Sequence, residues 1–585
     1  MNAERLLEVY EQISEAPDAL ARLRRFVLDL AVRGKLVEQD AGDESAAELL
    51  KRIKVEKDRI VREGKFKKSE GTFARDQEAF AFPVPASWHW CYLDDVTAIA
   101  RGGSPRPIKA YLTNEKNGIP WIKIGDSTRG SIHINSTAER IKPEGLSKSR
   151  LVIPGDLLLS NSMSFGFPYI TNIEGCIHDG WLVIRTPEKL ISKFFLHTLF
   201  LSEHAKRSFA EAASGAVVQN LNADKVRQLS VPLPPLAEQH RIVAKVDELM
   251  ALCDRLEEAR KTREEVRDKL TAASLARLTT PDTTAEDFPN HAAFALEALP
   301  ALTTRPDQIK ALRQTILKLA VRGKLVEQDP ADEPAMQLLA RVEAQRDEYL
   351  SSNYPTPAEA NTQRKKQSQQ SIPAKLPELP TGWSWATLQQ CALMVIDCKN
   401  KTAPYSPQGI RLIRTTNVRD GLMNANDQKF VSEAVYEDWS LRGKPAPGDI
   451  LITREAPMGE VCIIPEGEQI CLGQRMMLAR LVPETIDPRF MLYSLRDPDL
   501  MERVQDKPLG MTVQHLRVGG VETLLVPLPP VAEQHRIVAK VDALMVLCDQ
   551  LEAALTAAEI TRTRLLEALL HEALEPATEA LKAAE

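Results

Sequence analysis

Histidine and cysteine are the side chains from which metal sites, disulfides and nucleophilic centres are most often built, and the chain contains ten and eight of them. The cysteines are scattered, with no Cys-X-X-Cys pair and no Cys/His cluster at zinc spacing. Cys253 and Cys548 occur at helical core spacing. The sequence therefore predicts buried thiols, and neither a disulfide framework nor a metal site.

His240 and His535 lie in a segment that occurs twice, and each precedes an arginine near the predicted start of a long helix. This placement favours a structural or partner-contact role over a catalytic one. The chain also lacks a GxxxxGK(S/T) phosphate loop, a GxGxxG turn after a strand, a zinc deaminase signature and the Asn/Asp-Pro-Pro-aromatic tetrapeptide of adenine methyltransferases. We therefore predict no catalytic residue and expect catalysis on other subunits.

The elements that must position functional side chains are present in two copies. The sequence LAVRGKLVEQD stands at residues 30–40 and again at 319–329. The sequence AEQHRIVAKVD stands at residues 237–247 and again at 532–542, and a VPLPP segment precedes it both times. We call these repeated segments the frames. Matches of this length indicate an internal duplication.

Between the frames lie two segments of equal length and different sequence, residues 88–230 and 383–525, which we call block one and block two. The spacing from the tryptophan that opens each block to the valine of the following VPLPP is 143 residues in both copies. Identical frames indicate the same packing made twice, and different blocks indicate surfaces with different partners. Divergence alone is the less favoured alternative, because it would also have eroded the frames.

Apolar residues at steps of four and three after each AEQHR predict a long helix with a coiled-coil seam. A Pro-Pro pair just before each stretch suits the start of a helix. Arg260, Arg263 and Arg267 interrupt the first seam, so we expect that helix to fray there or to present these arginines to a partner subunit. The seams consist of Ile242, Val246, Leu249, Cys253 and Leu256, and of Ile537, Val541, Leu544, Cys548, Leu551 and Leu555.

The LAVRGKL frame predicts a helix that ends at Gly34 in the first copy and at Gly323 in the second, where glycine is a favoured C-cap. Further helices are expected at residues 48–62 and 336–349. The first of these is strongly basic, and a solvated face is favoured over a nucleic-acid contact. Two segments rich in proline and polar residues are expected to be linkers, residues 277–306 and 351–380.

Both blocks contain short β-rich runs between turns, which is typical of α+β globules. Trp88, Trp121 and Trp383 are interpreted as core residues. The runs lie at residues 119–124, 150–160, 180–185, 410–414, 449–453 and 476–481.

The predicted fold class is α+β: two globular, mixed α/β domains separated by long repeated helices that form an antiparallel coiled coil, with an internal pseudo-two-fold repeat. With 585 residues the chain exceeds what one core usually serves. The predicted regions are an N-terminal helical region (1–87), block one (88–230), a central helical region (231–382), block two (383–525) and a C-terminal helix (526–585).

Composition and charge restrict the class of protein. A hydrophobic content of 43%, a charged content of 27% and the lack of a signal-like N-terminus lead us to expect a soluble, cytoplasmic protein. The net charge of −6 argues against a broadly basic surface, so any nucleic-acid surface must be local. Block one has four more basic than acidic residues, whereas block two has two more acidic than basic residues.

Two variable blocks of about 140 residues, each preceded by AVRGKL and followed by PLPPxAEQHRIVAKVD, resemble the specificity subunit of a Type I restriction-modification system. The resemblance covers nearly the whole chain. Patterns similar to those of target-recognition domains occur at residues 102–107 (GGSPRP), 119–126 (IPWIKIGD) and 154–161 (PGDLLLSN) in block one, and at 397–405 (DCKNKTAPY), 410–418 (IRLIRTTNV) and 447–459 (PGDILITREAPMG) in block two.

The resemblance implies that each block reads one half of an asymmetric, gapped site in double-stranded DNA. It implies that the helices space the two blocks: a helix of about 40 residues is roughly 60 Å long, or about 18 base pairs. Two methylation subunits are expected to dock through the equivalent frames, with restriction subunits joining through the complex. S-adenosylmethionine, ATP and Mg are expected on those partner subunits, and no cofactor on this chain.

The resemblance places base readout on polar or cationic side chains just beyond strand ends, because arginine pairs with guanine, and asparagine or glutamine with adenine. For each of these residues an ordinary surface role is the alternative. The candidates in block one are Lys123, Asp126, Ser127, Ser160, Asn161 and Ser162, and those in block two are Arg414, Thr416, Asn417, Arg419, Thr453 and Arg454. The candidates for phosphate contacts are Arg101, Arg106, Lys109, Lys399 and Lys401.

Two other classes of function are alternatives. A coiled-coil adaptor whose blocks bind proteins is supported by the acidic block two, and it predicts no salt-dependent affinity for DNA. A self-contained nuclease or methyltransferase needs a cofactor or metal site that the sequence does not offer. The sequence does not determine the DNA target.

Overall fold

The computed structural model describes residues 15–63, 81–128, 130–161, 166–187, 189–213, 221–280, 287–352, 354, 356–505 and 515–574. The chain divides into two compact units: unit 1 comprises residues 1–263 with 558–585, and unit 2 comprises residues 264–557. The predicted α+β class, with two mixed domains separated by long helices, is confirmed. No helix within the described ranges is long and apolar enough to cross a membrane.

Among the described residues, block one follows two helices, and a 44-residue helix begins just after it. Strands β1 and β12 pair antiparallel and bring its two ends together. The other strands form two five-stranded sheets, ordered β3-β6-β4-β10-β7 and β2-β11-β8-β9-β5. The elements are α1 (Ala19–Val32), α2 (Ala46–Glu63), β1 (His89–Tyr92), α3 (Leu93–Val96), β2 (Ala98–Arg101), α4 (Ile108–Tyr111), β3 (Leu112–Thr113), β4 (Ile119–Ile122), β5 (His133–Ile134), β6 (Glu139–Ile141), β7 (Arg150–Val152), β8 (Leu157–Ser160), β9 (Pro168–Thr171), β10 (Gly175–Ile177), β11 (Trp181–Arg185), α5 (Lys193–Leu201), α6 (Glu203–Ala213), α7 (Ala223–Arg227), β12 (Ser230–Leu233) and α8 (Leu236–Thr279).

Block two has the same plan with fewer strands in each sheet. Strands β13 and β23 pair its ends, and its sheets are ordered β14-β22-β19-β20, β18-β15-β21 and β16-β17. The elements are α9 (Asp287–Leu302), α10 (Pro306–Val321), α11 (Ala335–Ser352), α12 (Pro357–Ser368), β13 (Ser384–Thr387), α13 (Leu388–Cys391), β14 (Ala392–Asp397), β15 (Ile410–Ile413), β16 (Val418–Arg419), β17 (Leu422–Met423), β18 (Lys429–Val431), α14 (Glu433–Trp439), β19 (Ile450–Thr453), β20 (Val461–Ile463), β21 (Ile470–Leu472), β22 (Met476–Leu481), α15 (Pro488–Leu495), α16 (Val518–Glu522), β23 (Leu525–Leu528) and α17 (Val531–Leu574).

Each unit contains one copy of both frames, and these two frames contact each other. The same contacts are made in both units, which explains why each frame has the same sequence in its two copies. In unit 1 the Gln39 amide donates to Glu238 at 2.7 Å, and Arg241 forms an ion pair with Asp43 at 2.7 Å. In unit 2 the equivalent residues form the same hydrogen bond at 3.1 Å and the same ion pair at 2.7 Å, namely Gln328, Glu533, Arg536 and Asp332. A change in one frame would therefore leave a polar partner unpaired in the other.

Helices α1 and α10 end at glycines as predicted, with Arg33 and Arg322 as the C-caps and Gly34 and Gly323 directly after them, at the C′ position. Both glycines adopt left-handed backbone, with φ of +68° and +63°. A Cβ atom at either position would lie 2.4 Å from a proline Cγ, that of Pro85 or Pro380. Glycine is needed at both positions because it alone adopts this φ without strain and leaves room for the ring.

The residues around these glycines receive the end of a long helix. In unit 1 the Lys35 ammonium donates to the carbonyl of Leu574, near the end of α17, at 3.0 Å. In unit 2 the Lys324 ammonium donates to the carbonyl of Thr280 at 3.3 Å, and Arg322 donates to that of Thr279. Cations stabilise the last carbonyls of a helix, so the VRGK sequence binds the C-terminus of a long helix in both units.

An apolar contact accompanies this binding in unit 1. Helix α1 packs against the last turns of α17, where Phe26 is buried with Leu566 and Leu569. In unit 2 the end of α8 packs against α9 and α10, where Leu278 is buried with Leu319.

The structure corrects two expectations about the helical regions. The segments expected to be linkers contain helices α9 and α12, and α8 and α11 extend into them. Helix α8 continues without interruption past the three arginines that interrupt its seam. These arginines contact residues of this chain: Arg260 donates to the carbonyl of Ala16, Arg263 pairs with Glu15, and Arg267 donates to the carbonyl of Ala301. These contacts explain why the helix does not fray there.

The predicted core residues are buried. Trp88, Trp121 and Trp383 are 5%, 2% and 7% exposed. Cys253 and Cys548 are buried thiols, as predicted, and the other six cysteines are also free and buried. The seams of both long helices are buried or half-buried. The pairing of these two helices in a coiled coil stays a prediction.

Acid should destabilise block one through His197. Burial in helix α5 lowers the pKa of this imidazole to about 4, from an ordinary value of 6.5. Because the unfolded chain binds a proton below pH 6.5 and the folded chain binds it only near pH 4, stability is present at neutral pH and is lost as the pH falls through this window. The loss approaches about 3 kcal/mol.

Urea unfolding of the full chain at pH 7, 6, 5 and 4 measures this dependence. Block two has Leu492 at the equivalent position of helix α15, so His197→Leu is the matched variant. We expect a shallower loss of stability in His197→Leu between pH 6.5 and 4. Parallel profiles for the two proteins would show that His197 is not responsible.

Candidate nucleic-acid interface

Four segments of block one meet at one edge, which we call loop edge one: residues 101–107, 123–127, 160–161 and 178–180. The turn at 178–180 lies at its centre. Gly102 donates its N–H to the carbonyl of Trp181 at 2.9 Å, and Asn161 donates its N–H to that of Gly180 at 2.9 Å. Glycine is required at 102, since a Cβ there would lie 2.1 Å from the carbonyl oxygen of His178.

Asp179 connects three of these segments. Its Oδ1 accepts from the Ser104 hydroxyl at 2.6 Å, and its Oδ2 lies 3.7 Å from Arg106 Nη2. Its carbonyl accepts from Arg101 Nε at 3.0 Å and from Asn161 Nδ2 at 3.1 Å. The hydrogen bond from Ser104 is the main cause that lowers the pKa of the Asp179 carboxyl. Asp179 is therefore a carboxylate at neutral pH, and it orients the cations around it.

The next segment is a short 3-10 turn, Ile124–Asp126, directly after β4. Asp126 accepts from the N–H of Lys123 at 2.7 Å, and Lys123 pairs with Glu139 at 2.9 Å. The Ser127 hydroxyl donates to the carbonyl of Ile124 at 2.7 Å. These three candidates shape the turn and remain partly exposed.

The candidates after β8 are buried. Ser160 and Asn161 are each 1% exposed, and the Ser160 hydroxyl accepts from the N–H of Phe167 at 3.0 Å. Ser162 lies outside the described residues. The cationic candidates are on the surface: Arg101, Arg106 and Lys109 are exposed, Arg106 by 83% of its side chain.

Block two has the same edge, loop edge two, formed by residues 397–402, 414–419, 453–454 and 473–475. Its central turn is held as in block one: Gly473 donates to the carbonyl of Ile413 at 2.8 Å, and Arg454 donates to that of Arg475 at 2.9 Å. The register of the central strands agrees, since Trp181 pairs with Ser160 and Met476 pairs with Thr453.

The turn after β15 repeats the one after β4 with different side chains. Arg414 donates its N–H to Asn417 Oδ1 at 3.1 Å, as Lys123 does to Asp126. The Arg414 guanidinium pairs with Asp427 at 3.0 Å. Asn417 is 1% exposed and donates to the carbonyl of Asn426 at 2.7 Å.

Two further candidates lie in this turn and just after it. Thr416 is exposed. Arg419 is partly exposed, and its guanidinium donates to the carbonyl of Thr415 at 2.7 Å.

The remaining candidates of block two lie after β14 and β19. Thr453 is buried, and its hydroxyl donates to the carbonyl of Pro457 at 2.6 Å. Arg454 pairs with Asp397 at 3.1 Å. Lys399 pairs with Asp438 at 2.7 Å and lies over the Trp439 ring, whereas Lys401 is exposed. The charge at one strand position is reversed between the blocks, because Asp397 takes the position that Arg101 has in block one.

The PGD sequence of each block has a structural role behind the edge. In block two the Asp449 carboxylate, 3% exposed, binds Arg480 with two contacts of 2.8 and 2.7 Å and accepts the N–H of Ala446. In block one Asp156 binds Arg185 in the same way. These ion pairs join β22 and β11 to the loops that precede β19 and β8.

The sequence did not identify His178, Asp179 or Gln474, although they lie in the central turns. Burial lowers the pKa of His178, so its imidazole is neutral at pH 7. The available signal was their position just before a β-rich run: His178 and Asp179 lie two residues and one residue before Gly180, and Gln474 lies two residues before Met476. Within the described ranges no group of three or more His, Cys, Asp or Glu side chains is arranged to hold a metal ion.

Two domains of one topology, with different side chains at equivalent edges and identical helical frames, define a protein with two recognition domains. The family model for the Type I restriction modification DNA specificity domain matches residues 85–265 and 441–562, together more than half of the chain. The chain belongs to this family.

Curated relatives match along almost the whole chain. The Type I restriction enzyme EcoAI specificity subunit of Escherichia coli is 29% identical over 95% of this chain and 94% of its own length. The EcoEI specificity subunit of the same species is 28% identical over the same shares. A solved structure of the HsdS subunit from Thermoanaerobacter tengcongensis is 19% identical over 84% of this chain and 98% of its own, with a TM-score of 0.43.

Proposed function

We propose that this chain is the non-catalytic DNA-recognition subunit of a Type I restriction-modification complex, and that each block reads one half of a bipartite, gapped site. The observation that carries the proposal is the pair of loop edges. They share one backbone plan, while their side chains differ at equivalent positions, as two readers of different sequences require.

The charges of each edge suit contact with double-stranded DNA. Exposed cations at phosphate-contact positions supply the sequence-independent part of the affinity. In block one these are Arg101, Arg106 and Lys109, and in block two Lys401 is exposed and Lys399 is partly exposed. Several acidic residues of block two are paired with arginines of the same block, so its negative net charge does not prevent a local positive surface.

The frames are proposed to dock two methylation subunits through equivalent surfaces. His240 and His535 support this proposal: they occupy the same place in both copies and are exposed, while Gln39 of the frames binds Glu238 and Arg241 binds Asp43. S-adenosylmethionine, ATP and Mg would then be bound by the partner subunits, and restriction subunits would join through the complex.

A methylome tests this function. The chain is co-expressed with its methylation subunit in a host without DNA methylation, and modified adenines are mapped by single-molecule sequencing. We expect a two-part motif with an unspecified gap. Exchanging residues 88–230 for the matching domain of a relative should change one half of the motif and leave the other half intact.

The same experiment tests the competing adaptor function. A stable complex that modifies no DNA and shows no salt-dependent affinity for DNA would support a protein-binding adaptor instead. An exchange that changed both halves of the motif would contradict independent reading by the two blocks.

A further inference from the structure

The central turns of the two loop edges place one residue at equivalent positions. Asp179 stands two residues before Trp181, the first residue of β11, and Gln474 stands two residues before Met476, the first residue of β22. Trp181 pairs with Ser160, the last residue of β8, and Met476 pairs with Thr453, the last residue of β19, so the two positions are equivalent within their blocks. The position that holds a carboxylate in block one therefore holds a carboxamide in block two.

Both residues contact the segment that follows the first edge strand. Asp179 accepts from Ser104 and lies beside Arg106, whose side chain is 83% exposed. Gln474 Oε1 accepts from the Thr402 hydroxyl at 3.3 Å, and Thr402 is exposed. The Asp179 side chain is 44% exposed, and Gln474 is partly exposed. Both therefore reach the surface at the centre of their edge.

We propose that positions 179 and 474 determine one base each in the two half-sites. This inference rests on the proposed function and names residues for it. Gln474 reads adenine through its carboxamide, and Asp179 holds Arg106 in the orientation that reads guanine.

The chemistry of Gln474 supports its assignment. A carboxamide matches adenine, since its NH2 group donates to N7 and its oxygen accepts from the N6 amino group. Among the described residues, Gln474 Nε2 donates to none, so its hydrogens remain available. The oxygen has two lone pairs, and Thr402 uses one of them. The side chain can therefore make both bonds without giving up its contact in the block.

The chemistry of Asp179 favours a positioning role. A carboxylate repels phosphate, so the residue does not serve as a backbone contact. Its oxygens face Ser104 and Arg106, and its carbonyl binds Arg101 and Asn161. An exposed arginine is mobile, and a carboxylate beside it restricts the guanidinium to fewer orientations. The restricted guanidinium can then bind guanine O6 and N7 in a bidentate manner.

Single substitutions in the complex with the methylation subunit test the inference by methylome. Gln474→Ala should relax one adenine position in the second half of the motif, with a roughly tenfold to hundredfold loss of preference. Asp179→Asn keeps a group that can accept from Ser104 and removes the charge beside Arg106. It should relax one guanine position in the first half only. Gln408→Ala is the control, because Gln408 is exposed in block two before β15, at the opposite end of that strand from loop edge two.

The outcomes separate this inference from the proposed function. A wild-type complex that modifies no DNA would overturn both. A wild-type complex with a two-part motif that Gln474→Ala and Asp179→Asn leave unchanged would overturn this inference alone. Uniform loss of modification, with no change of base preference in an intact complex, would also overturn it. Gln474→Asn is a second variant that retains a carboxamide, and it should weaken the preference for adenine less than alanine does.

Discussion

Gly102→Ala should abolish the DNA recognition that we propose for block one. The added Cβ would lie 2.1 Å from the carbonyl oxygen of His178 and 2.8 Å from that of Ile177. Both are backbone atoms, one of the central turn and one of the last residue of β10, so only a shift of the backbone at the loop edge relieves the overlap. A distortion that costs about 3 kcal/mol would lower the affinity for DNA more than a hundredfold. The dissociation constant of the complex for a duplex with the mapped site measures it.

Gly125→Ala is the matched control on the same edge. A Cβ at Gly125 meets no atom within 4 Å, so we expect the affinity for DNA to change by less than about twofold. Equal losses in the two variants would show that the edge tolerates no substitution at all, and equal retention would show that the turn at 178–180 does not contribute to recognition.

Asp449→Ala should destabilise unit 2 by about 3–5 kcal/mol, because it leaves the half-buried Arg480 guanidinium without its carboxylate. The hydrogen bond from the Ala446 N–H is lost at the same time. The free energy of unfolding in urea, followed by tryptophan fluorescence, measures the effect. Asp156→Ala should have a similar effect on unit 1, where Arg185 has the same arrangement.

Glu437→Ala provides the comparison at the surface. Glu437 and Lys444 form an ion pair whose side chains are 50% and 57% exposed, so its removal should cost less than about 1 kcal/mol. A double variant that replaces Asp449 and Arg480 with valine and leucine should recover most of the lost stability. If Asp449→Ala were no more harmful than Glu437→Ala, the buried ion pair would not be a structural requirement of the PGD sequence.

The sequence predicted the helical frames well because their signals are local. The Pro-Pro pairs marked the starts of α8 and α17, and Gly34 and Gly323 marked the ends of α1 and α10. The prediction of linkers was wrong because the content of proline and threonine reports only the local conformational propensity of the chain. Helix α9 forms where Phe288 and Ala295 pack against residues distant in sequence, and such tertiary packing overrides propensity.

The candidate site was predicted in outline and missed at its centre. Strand ends are visible in sequence, so Lys123 and Arg414 were found at the equivalent turns. Asp179 contacts Arg101 across 78 residues of sequence, and only the pairing of β2 with β11 brings the two together. Burial is also invisible to a residue pattern, which is why the candidates Ser160 and Asn417 are enclosed in the blocks.

Unit 1 is formed by two stretches that are far apart in sequence, residues 1–263 and 558–585, and this has a consequence for synthesis on the ribosome. Helix α1 is synthesised before block one, yet Phe26 of α1 is covered by Leu566 and Leu569, which belong to the end of α17 and follow all of residues 264–557. About 540 residues separate Phe26 from Leu566, so at about 5–20 residues per second the nascent chain leaves this apolar face uncovered for roughly 27–108 seconds. The first domain to leave the ribosome is thus the last to be completed, and chains released early would expose an aggregation-prone surface that chaperones and proteases recognise.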